Sequence, residues 1–296
     1  MKNYLKIIII LIILFIIIVG LFTKCNKKES GEALEFKDSA FAKMLKKELN
    51  KEQIYATDLN EISGIMIAAD RVLGLSGGGH TDKDIILFNF EEFEYEGVRY
   101  KEFGTIKSLE DLKYFPKLTS LRIYLQPNID FTTIPNKAKI NNLGLSQNKL
   151  TNIKFLKGFD SLIYLSLSSN YIVDLSGIEA VKAIKRLNLN SNDVINIDLL
   201  KDFNNLEYLD LTYNNVLDVK PLINLPKLSY LSLYENGISD ITPLSNVKTL
   251  EELYLNNNNI TDISPLKDFT SFKALNISNN PINNYEVINH IPNVIK

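Results

Sequence analysis

The sequence has very little of the chemistry on which most enzymes and disulfide-bonded proteins depend. Cys25 is the single cysteine among 296 residues, so no internal disulfide can form. The two histidines, His80 and His290, stand in different terminal regions, and no cysteine or histidine has the spacing of a zinc site. A phosphate-binding loop and a nucleophile elbow are also missing. The sequence therefore predicts a protein that is not an enzyme and that uses no metal and no cofactor.

Charge of one sign is also scarce. The formal net charge is −2, lysine and glutamate are interspersed, and no basic block occurs outside the extreme N-terminus. This excludes the electrostatic footprint of a nucleic-acid-binding protein. Hydrophobic residues make up 45% of the chain, which is ample for a core.

What the sequence does contain is leucine at a fixed period of 22 residues, starting at Leu118. We number the positions of each repeat from 0, so that positions 3 and 5 are always leucine or isoleucine. Position 0 holds Leu118, Ile140, Leu162, Ile184, Leu206, Leu228, Leu250 and Phe272. Position 8 holds Gln126 and then Asn148, Asn170, Asn192, Asn214, Asn236, Asn258 and Asn280. The pattern L-x-x-L-x-L-x-x-N recurs without insertion, which is the signature of a leucine-rich repeat.

Each repeat predicts a short strand followed by a tight return. Leu165 and Leu167 are two residues apart, so they face the same way on a strand and stack with their counterparts in neighbouring repeats. The asparagines at position 8 are predicted to form a ladder, because a buried amide both donates to and accepts from peptide groups that the turn leaves unpaired. Gln126, followed by Pro127, predicts a different turn in the first repeat.

The remaining residues of each repeat are too few for a full α-helix. Apolar residues recur at positions 10, 13, 16 and 19, as at Ile172, Leu175, Ile178 and Val181. This period of three favours a 3₁₀ turn on the convex side. The predicted fold is an α/β leucine-rich-repeat solenoid with a parallel sheet on its concave face, short 3₁₀ turns on its convex face, and a helical N-terminal cap with a β insertion.

From about Phe36 onward the chain resembles the bacterial internalin-like class of 22-residue leucine-rich repeats. The resemblance implies a curved solenoid that binds another protein through its concave face. It does not identify the partner.

The N-terminal sequence predicts that the protein is exported. Residues 1–24 resemble a lipoprotein signal segment, with Lys2 and Lys6 before an apolar run, and residues 25–35 form a polar tether. Cys25 is the predicted lipidation site, although Lys24 departs from the small residue that usually precedes such a cysteine. The alternative is an uncleaved signal anchor with an idle thiol. Both readings place the protein at the cell envelope or surface, anchored to a membrane at its N-terminus.

Three further segments are predicted between the tether and the C-terminus. Residues 36–70 form a helical cap, with one helix closed by Asn50 and a second that starts at Thr57 or Asp58. Residues 71–104 form a β-rich insertion that extends the cap, with a glycine-rich loop at 77–79 and a hairpin turn at Glu96 and Gly97. Residues 105–296 form the solenoid, which would enter a ninth repeat at Val294.

Positions 2, 4 and 6 alternate with the buried leucines and are predicted to line the concave face. The candidate ligand-binding residues there are Tyr164, Arg186, Tyr208, Asp210, Tyr230, Tyr234 and Tyr254. Tyrosine supplies contact area at low entropic cost, and these tyrosines gather in the second half of the solenoid. The predicted partner is a protein, and the solenoid itself is expected to be monomeric. A carbohydrate- or peptidoglycan-binding module and a purely structural envelope protein are the alternatives.

One residue type in the turns offers a competing interpretation. Aspartates recur at position 12, at Asp174, Asp218, Asp240 and Asp262, and could suggest calcium. One carboxylate per repeat is a weak ligand set, so a turn-stabilising role is preferred.

Overall fold

We describe a computed structural model of the protein over residues 31–69, 71–74, 85–89, 92–95, 98–101, 104–270, 272–292 and 294–296. The predicted targeting segment 1–24, Cys25, the glycine-rich loop and the turn at Glu96 and Gly97 lie outside these residues. No helix within the described ranges is both long enough and apolar enough to cross a membrane.

A single curved sheet of short strands forms the body of the molecule. Ten strands run parallel in it, and an eleventh pairs antiparallel at the N-terminal edge. In chain order its strands are β1 (Gly64–Ala68), β2 (Arg71–Gly74), β6 (Ser120–Tyr124), β7 (Asn142–Gly144), β8 (Tyr164–Ser166), β9 (Arg186–Asn188), β10 (Tyr208–Asp210), β11 (Tyr230–Ser232), β12 (Glu252–Tyr254), β13 (Ala274–Asn276) and β14 (Val294–Ile295).

The leucine period sets the register of this sheet. Leu143 pairs with Leu165, and Leu165 pairs with Leu187, so strand partners from β6 to β13 are residues at the same repeat position. The leucines at positions 3 and 5 are buried behind the sheet. The neighbouring repeats cover them, because a single repeat cannot bury its own leucines. The predicted solenoid fold is confirmed.

Short 3₁₀ turns return the chain along the convex side. Those of the regular repeats include Lys154–Leu156, Ile178–Val181, Asp198–Leu200, Lys220–Asn224, Thr242–Asn246 and Ser264–Leu266. Ile172, Leu175, Ile178 and Val181 are at most 3% exposed, so positions 10, 13, 16 and 19 form the other wall of the core. The first repeat instead has two turns, Phe131–Thr133 and Lys137–Lys139.

The N-terminal cap is joined to the solenoid by two buried carboxylates. Helix α1 (Ser39–Leu49) buries Phe41, Met44 and Leu45, and Asn50 ends it in the left-handed conformation. Asp38 caps this helix by accepting from the Phe41 N–H, and its other oxygen accepts from the N–H groups of Lys107 and Ser108.

Asp111 provides the reciprocal contact from the solenoid side. It is fully buried and accepts from the N–H groups of Lys37 and Asp38, at 2.8 and 2.7 Å. Because backbone donors of each part are satisfied by a side chain of the other, the two parts pack at one fixed orientation.

The cap differs from the prediction in two respects. The second helix, α2 (Ala56–Leu59), has Tyr55 at its N-cap, and the Asp58 carboxylate accepts from the Tyr55 N–H, so neither Thr57 nor Asp58 is the cap residue. The segment predicted as a helical cap also contains β1, whose five residues are all buried. β1 pairs in parallel with β6, Gly64 opposite Ser120, and so supplies the sheet with its first parallel strand.

The insertion contains a separate small sheet. Strands β3 (Ile85–Asn89), β4 (Glu92–Tyr95) and β5 (Val98–Lys101) pair in order and antiparallel. Tyr95 pairs with Val98, which is the pairing that a two-residue connection allows.

The C-terminal register also differs from the prediction. Val294 pairs with Leu275, a position 3 residue, rather than with Phe272. The chain therefore returns to the sheet three residues earlier than the 22-residue period of the repeats would place it. Ile288 and Ile291 are buried and Tyr285 packs against them, which closes the core at this end.

Candidate functional site

The asparagines at position 8 hold the edge of the concave face rigid. The Asn214 amide donates to the carbonyl oxygens of Leu189, Leu211 and Thr212, at 2.9 to 3.1 Å, and its Oδ1 accepts from the Val194 N–H at 3.0 Å. Asn170, Asn192, Asn236, Asn258 and Asn280 make the same kind of set, and Asn148 donates to Ile123 while accepting from Gln126. These bonds satisfy peptide groups at the turn, where the sheet ladder ends.

Gln126 occupies the ladder position of the first repeat. Its Oε1 accepts from the Ile106 N–H, 20 residues earlier, as the asparagines from Asn170 onward accept from the residue 20 before them. Its Nε2 donates to the carbonyl of Ala69 at the end of β1. The longer glutamine side chain thus connects the ladder to the cap.

The residue before each ladder position adopts an unusual backbone conformation. The angle φ lies between 52° and 61° at Leu125, Gln147, Ser169, Ser191, Tyr213, Glu235, Asn257 and Asn279. This left-handed turn sends the position 7 side chain to the edge of the concave face. Tyr213, 48% exposed, becomes an edge residue that the sequence alone does not mark as part of a site.

Several side chains at positions 4 and 6 of the concave face are covered. Tyr124, Ser146 and Ser166 are between 1% and 4% exposed, although positions 4 and 6 were expected to face solvent. The hydroxyl groups of Ser146, Ser166 and Ser168 bond to one another. Thr212 and Ser232 in the second half are covered as well, at 8% and 4% exposed. The larger side chains that stay partly exposed there are Tyr208, Tyr230, Tyr234 and Tyr254.

Four of the predicted residues form one continuous column in that half. The Arg186 guanidinium lies 4.2 Å from the centre of the Tyr208 ring, and the Tyr208 and Tyr230 rings stack at 4.1 Å with an angle of 12°. Tyr254 continues the column, 5.6 Å from Tyr230 and tilted by 43°. We call these four residues the aromatic column. Position 2 places Arg186, Tyr208 and Tyr230 side by side on β9 to β11. Tyr254 is at position 4 of β12, and its ring reaches back to Tyr230.

Acidic groups border the aromatic column. Burial raises the pKa of the Tyr208 hydroxyl well above its usual value, and the nearby Asp210 carboxylate raises it further. Burial and then Asp210 also raise the pKa of Tyr230, and burial and then Glu252 raise that of Tyr254. The Tyr254 hydroxyl donates to Glu252 at 3.3 Å. The tyrosines are therefore neutral hydrogen-bonding groups at physiological pH, beside two carboxylates.

The other two predicted tyrosines lie apart from the column. Tyr234 makes its ring contact with Tyr213, edge to face at 4.9 Å, and the two hydroxyl oxygens are 3.0 Å apart. That hydrogen bond is the main reason that the pKa of Tyr234 is raised. Tyr164 is half-buried on β8, next to Arg186 in the register. We call Tyr213 and Tyr234 the edge pair.

The aspartates at position 12 stabilise turns. Asp174 Oδ1 accepts from the N–H and hydroxyl of Ser176, and Asp262 accepts from the Ser264 N–H. These hydrogen bonds hold the pKa of both carboxyls below the usual value. Among the side chains that the structure describes, no three of His, Cys, Asp or Glu come close enough to bind a metal ion. His290 lies 2.9 Å from the carbonyl oxygen of Phe269 near the C-terminal end.

Sheet, turns and asparagine ladder together define a leucine-rich-repeat solenoid. The family model for leucine-rich repeats in two copies matches the sequence twice, at residues 205–246 and 248–290. The edge pair and three of the four residues of the aromatic column lie within the matched repeats; Arg186 lies before them.

Solved structures of other leucine-rich-repeat proteins share this fold. An internalin, InlF, from Listeria monocytogenes is 21% identical, with a TM-score of 0.57 and 88% of each chain covered. Internalin C2 from the same organism is 21% identical, with a TM-score of 0.51, covering 89% of this chain and 99% of its own. A Leptospira interrogans leucine-rich-repeat protein is 26% identical over 59% of this chain and 46% of its own, with a TM-score of 0.53. No curated protein matches the sequence significantly.

Proposed function

We propose that this protein binds another protein through the second half of its concave face, with the aromatic column as the anchor. The observation that carries the proposal is the unbroken stack from Arg186 through Tyr208 and Tyr230 to Tyr254. Arginine and tyrosine are the residue types most enriched at the energetic centres of protein interfaces.

The backbone under the column is held in place before any partner arrives. Tyr208 pairs with Tyr230 and, one residue on, Leu209 pairs with Leu231. The asparagine ladder fixes the adjacent turns. Little conformational entropy is lost when such side chains are covered, because packing in the stack already restricts their rotamers.

The charges around the column favour a partner with exposed basic side chains. Asp210 lies on β10 beside the two stacked rings, and Glu252 lies on β12 beside Tyr254. A lysine or arginine of the partner would meet both an aromatic face and a carboxylate there. Arg186, at the opposite end, favours an acidic group of the partner at that end only.

The proposal predicts which protein contacts are made on intact cells. A photo-crosslinking amino acid at Asn256, two residues after the end of β12, should capture a discrete protein. The same group at Ser120, in the N-terminal part of the sheet, should not. Mass spectrometry would identify the captured species. Capture of glycan or peptidoglycan alone would instead support a carbohydrate-binding module, and equal capture at both positions would argue against a localised site.

Once a partner is identified, removing two rings of the column should weaken binding strongly. We expect Tyr230→Ala combined with Tyr254→Ala to raise the dissociation constant at least about tenfold. The thermal melting profile should barely change, because both rings lie outside the leucine core. Surface plasmon resonance with the purified partner measures the first effect and circular dichroism the second.

The edge pair provides the matched control. Tyr213→Ala combined with Tyr234→Ala removes the same residue types from a neighbouring site that does not belong to the stack. The control should change affinity by less than about threefold. Equal losses for the two double variants would remove the column as the anchor.

We further propose that the protein is exported and held at the cell envelope by its N-terminus, with Cys25 lipidated after removal of residues 1–24. The support is a unique cysteine directly behind an apolar segment and ahead of a polar tether. Mass spectrometry of the membrane-extracted protein should find an acylated Cys25 as the first residue. An intact Met1 with an unmodified cysteine would indicate a signal anchor instead.

A further inference from the structure

A second exposed surface lies on one flank of the solenoid, away from the aromatic column. Val173, Ile195 and Leu217 occupy position 11 of three successive repeats, where the chain has left the strand and passed the asparagine ladder. Their side chains are 49%, 54% and 61% exposed. We call these three residues the flank ridge.

The fold does not require apolar residues at this position. Position 11 holds Thr151, Ser239, Thr261 and Asn283 in four other repeats. The residue before Thr151, Ser239 and Thr261 donates its N–H to the next ladder asparagine, as Ile172 does before Val173. Packing of the core therefore does not require the apolar side chains of the flank ridge. Contiguous exposed apolar residues on a soluble surface commonly mark a site of association.

The backbone of the flank ridge is held by hydrogen bonds to the repeats before and after it. The N–H groups of Asp193 and Asn215 donate to the carbonyl oxygens of Ile172 and Val194, at 3.0 and 2.9 Å, which links each repeat to the next. The N–H groups of Ile172, Val194 and Val216 donate to ladder asparagines. Successive ridge residues are thus held about one strand spacing, or about 4.8 Å, apart.

The exposed charges nearest the ridge are mostly negative. Asp174, Asp193 and Asp218 are exposed beside it, and Asp240 and Asp262 continue the acidic row. From Ser169 to Asn284, no lysine or arginine occurs at positions 7, 9, 11 or 12. Two lysines at position 14 lie near this row, Lys154 close to Asp174 and Lys220 two residues after Asp218. Other lysines occur at positions 17 to 21 and 1: Lys182, Lys185, Lys201, Lys227, Lys248, Lys267 and Lys273.

We propose that the flank ridge is a second docking surface, and that its occupant is a cationic amphipathic segment of a partner protein. The apolar residues of such a segment would cover Val173, Ile195 and Leu217, while its lysine or arginine side chains would face the aspartate row. The spacing of the ridge suits a segment that runs along the solenoid axis and crosses three repeats.

This inference does not depend on the concave site, so the test separates the two. A phage library of random dodecapeptides is selected on the full chain in detergent and counter-selected on the variant V173T/I195T/L217S. That variant carries residue types which position 11 already has elsewhere, so its melting profile should match the wild type. The enriched peptides should combine apolar residues with lysine or arginine.

The enriched peptides, made synthetically, give the quantitative result. Fluorescence polarisation should show affinity for wild type that falls at least about tenfold in V173T/I195T/L217S. It should weaken as salt is raised from about 0.05 to 0.5 M, because screening acts on exposed charges. The variant D174N/D193N/D218N, which keeps the Asp174 turn acceptor as an amide oxygen, should bind more weakly and lose the salt dependence. Y230A/Y254A should bind like wild type.

Three outcomes would overturn the proposal. One is that no peptide is enriched on wild type relative to the ridge variant. Another is that the enriched peptides are neutral or acidic and insensitive to salt. The third is that sedimentation shows a wild-type dimer which V173T/I195T/L217S abolishes, since the occupant would then be a second copy of this chain.

Discussion

Replacing Leu209 by alanine should lower the free energy of unfolding by about 2–5 kcal/mol. Leu209 is fully buried on β10, where it packs between Leu187 and Leu231 of the adjacent strands. The substitution leaves a cavity in the middle of the ladder, and neither neighbouring repeat can move into it without breaking its own register. Urea unfolding followed by far-UV circular dichroism measures the loss.

Leu217→Ala is the matched control. It removes the same atoms from the same repeat, but Leu217 is 61% exposed. We expect a loss below about 1 kcal/mol, because most of that side chain is already in contact with water. If the two variants unfolded at the same urea concentration, the leucine ladder would not be the main source of stability in this repeat.

Replacing Asn214 by alanine should lower the free energy of unfolding by about 2–4 kcal/mol. The variant removes one hydrogen-bond partner from each of three carbonyl groups and from the Val194 N–H, at a site that is 7% exposed. The Leu189 carbonyl and the Val194 N–H belong to the preceding repeat, so the damage is not confined to one turn. The same urea experiment measures it.

Asn215→Ala is the control for the ladder variant. Asn215 is the exposed neighbour of Asn214, and its backbone N–H still bonds to the Val194 carbonyl after the substitution. We expect a change within about 0.5 kcal/mol. Asn214→Asp adds a second check, since it keeps the acceptor for Val194 but sets a carboxylate against the carbonyl oxygens, and it should be no more stable than the alanine variant. A wild-type profile for Asn214→Ala would contradict the ladder.

The fold was predictable because the same sequence pattern recurs in every repeat. A side chain at position 3, 5 or 8 lies next to the residue at the same position in the preceding and following repeats. The local pattern therefore also predicts the long-range contacts. Leu165 could be placed between Leu143 and Leu187 from spacing alone, and the structure pairs them so. The amide chemistry of asparagine likewise indicated the ladder, since few other side chains both donate and accept at that length.

The candidate site was predictable only in part. Position 2 placed Tyr208 beside Tyr230, and the structure stacks their rings. The sequence did not show that Tyr234 turns to Tyr213, because that contact depends on the left-handed backbone at position 7. Nor did it show that Ser166 is covered, because burial depends on what surrounds the sheet rather than on the alternation along one strand.

By itself, the sequence determined the solenoid, its concave sheet, its convex turns and its asparagine ladder. Only the tertiary structure decided the two ends, where no repeat fixes the register. There Gly64 pairs with Ser120, and Val294 pairs with Leu275 rather than with Phe272. It also decided the joint at Asp38 and Asp111, because a hydrogen bond between residues 73 apart leaves no periodic trace in the sequence. The physical reason is the same in each case: such contacts are made once, so only the folded chain brings their partners together.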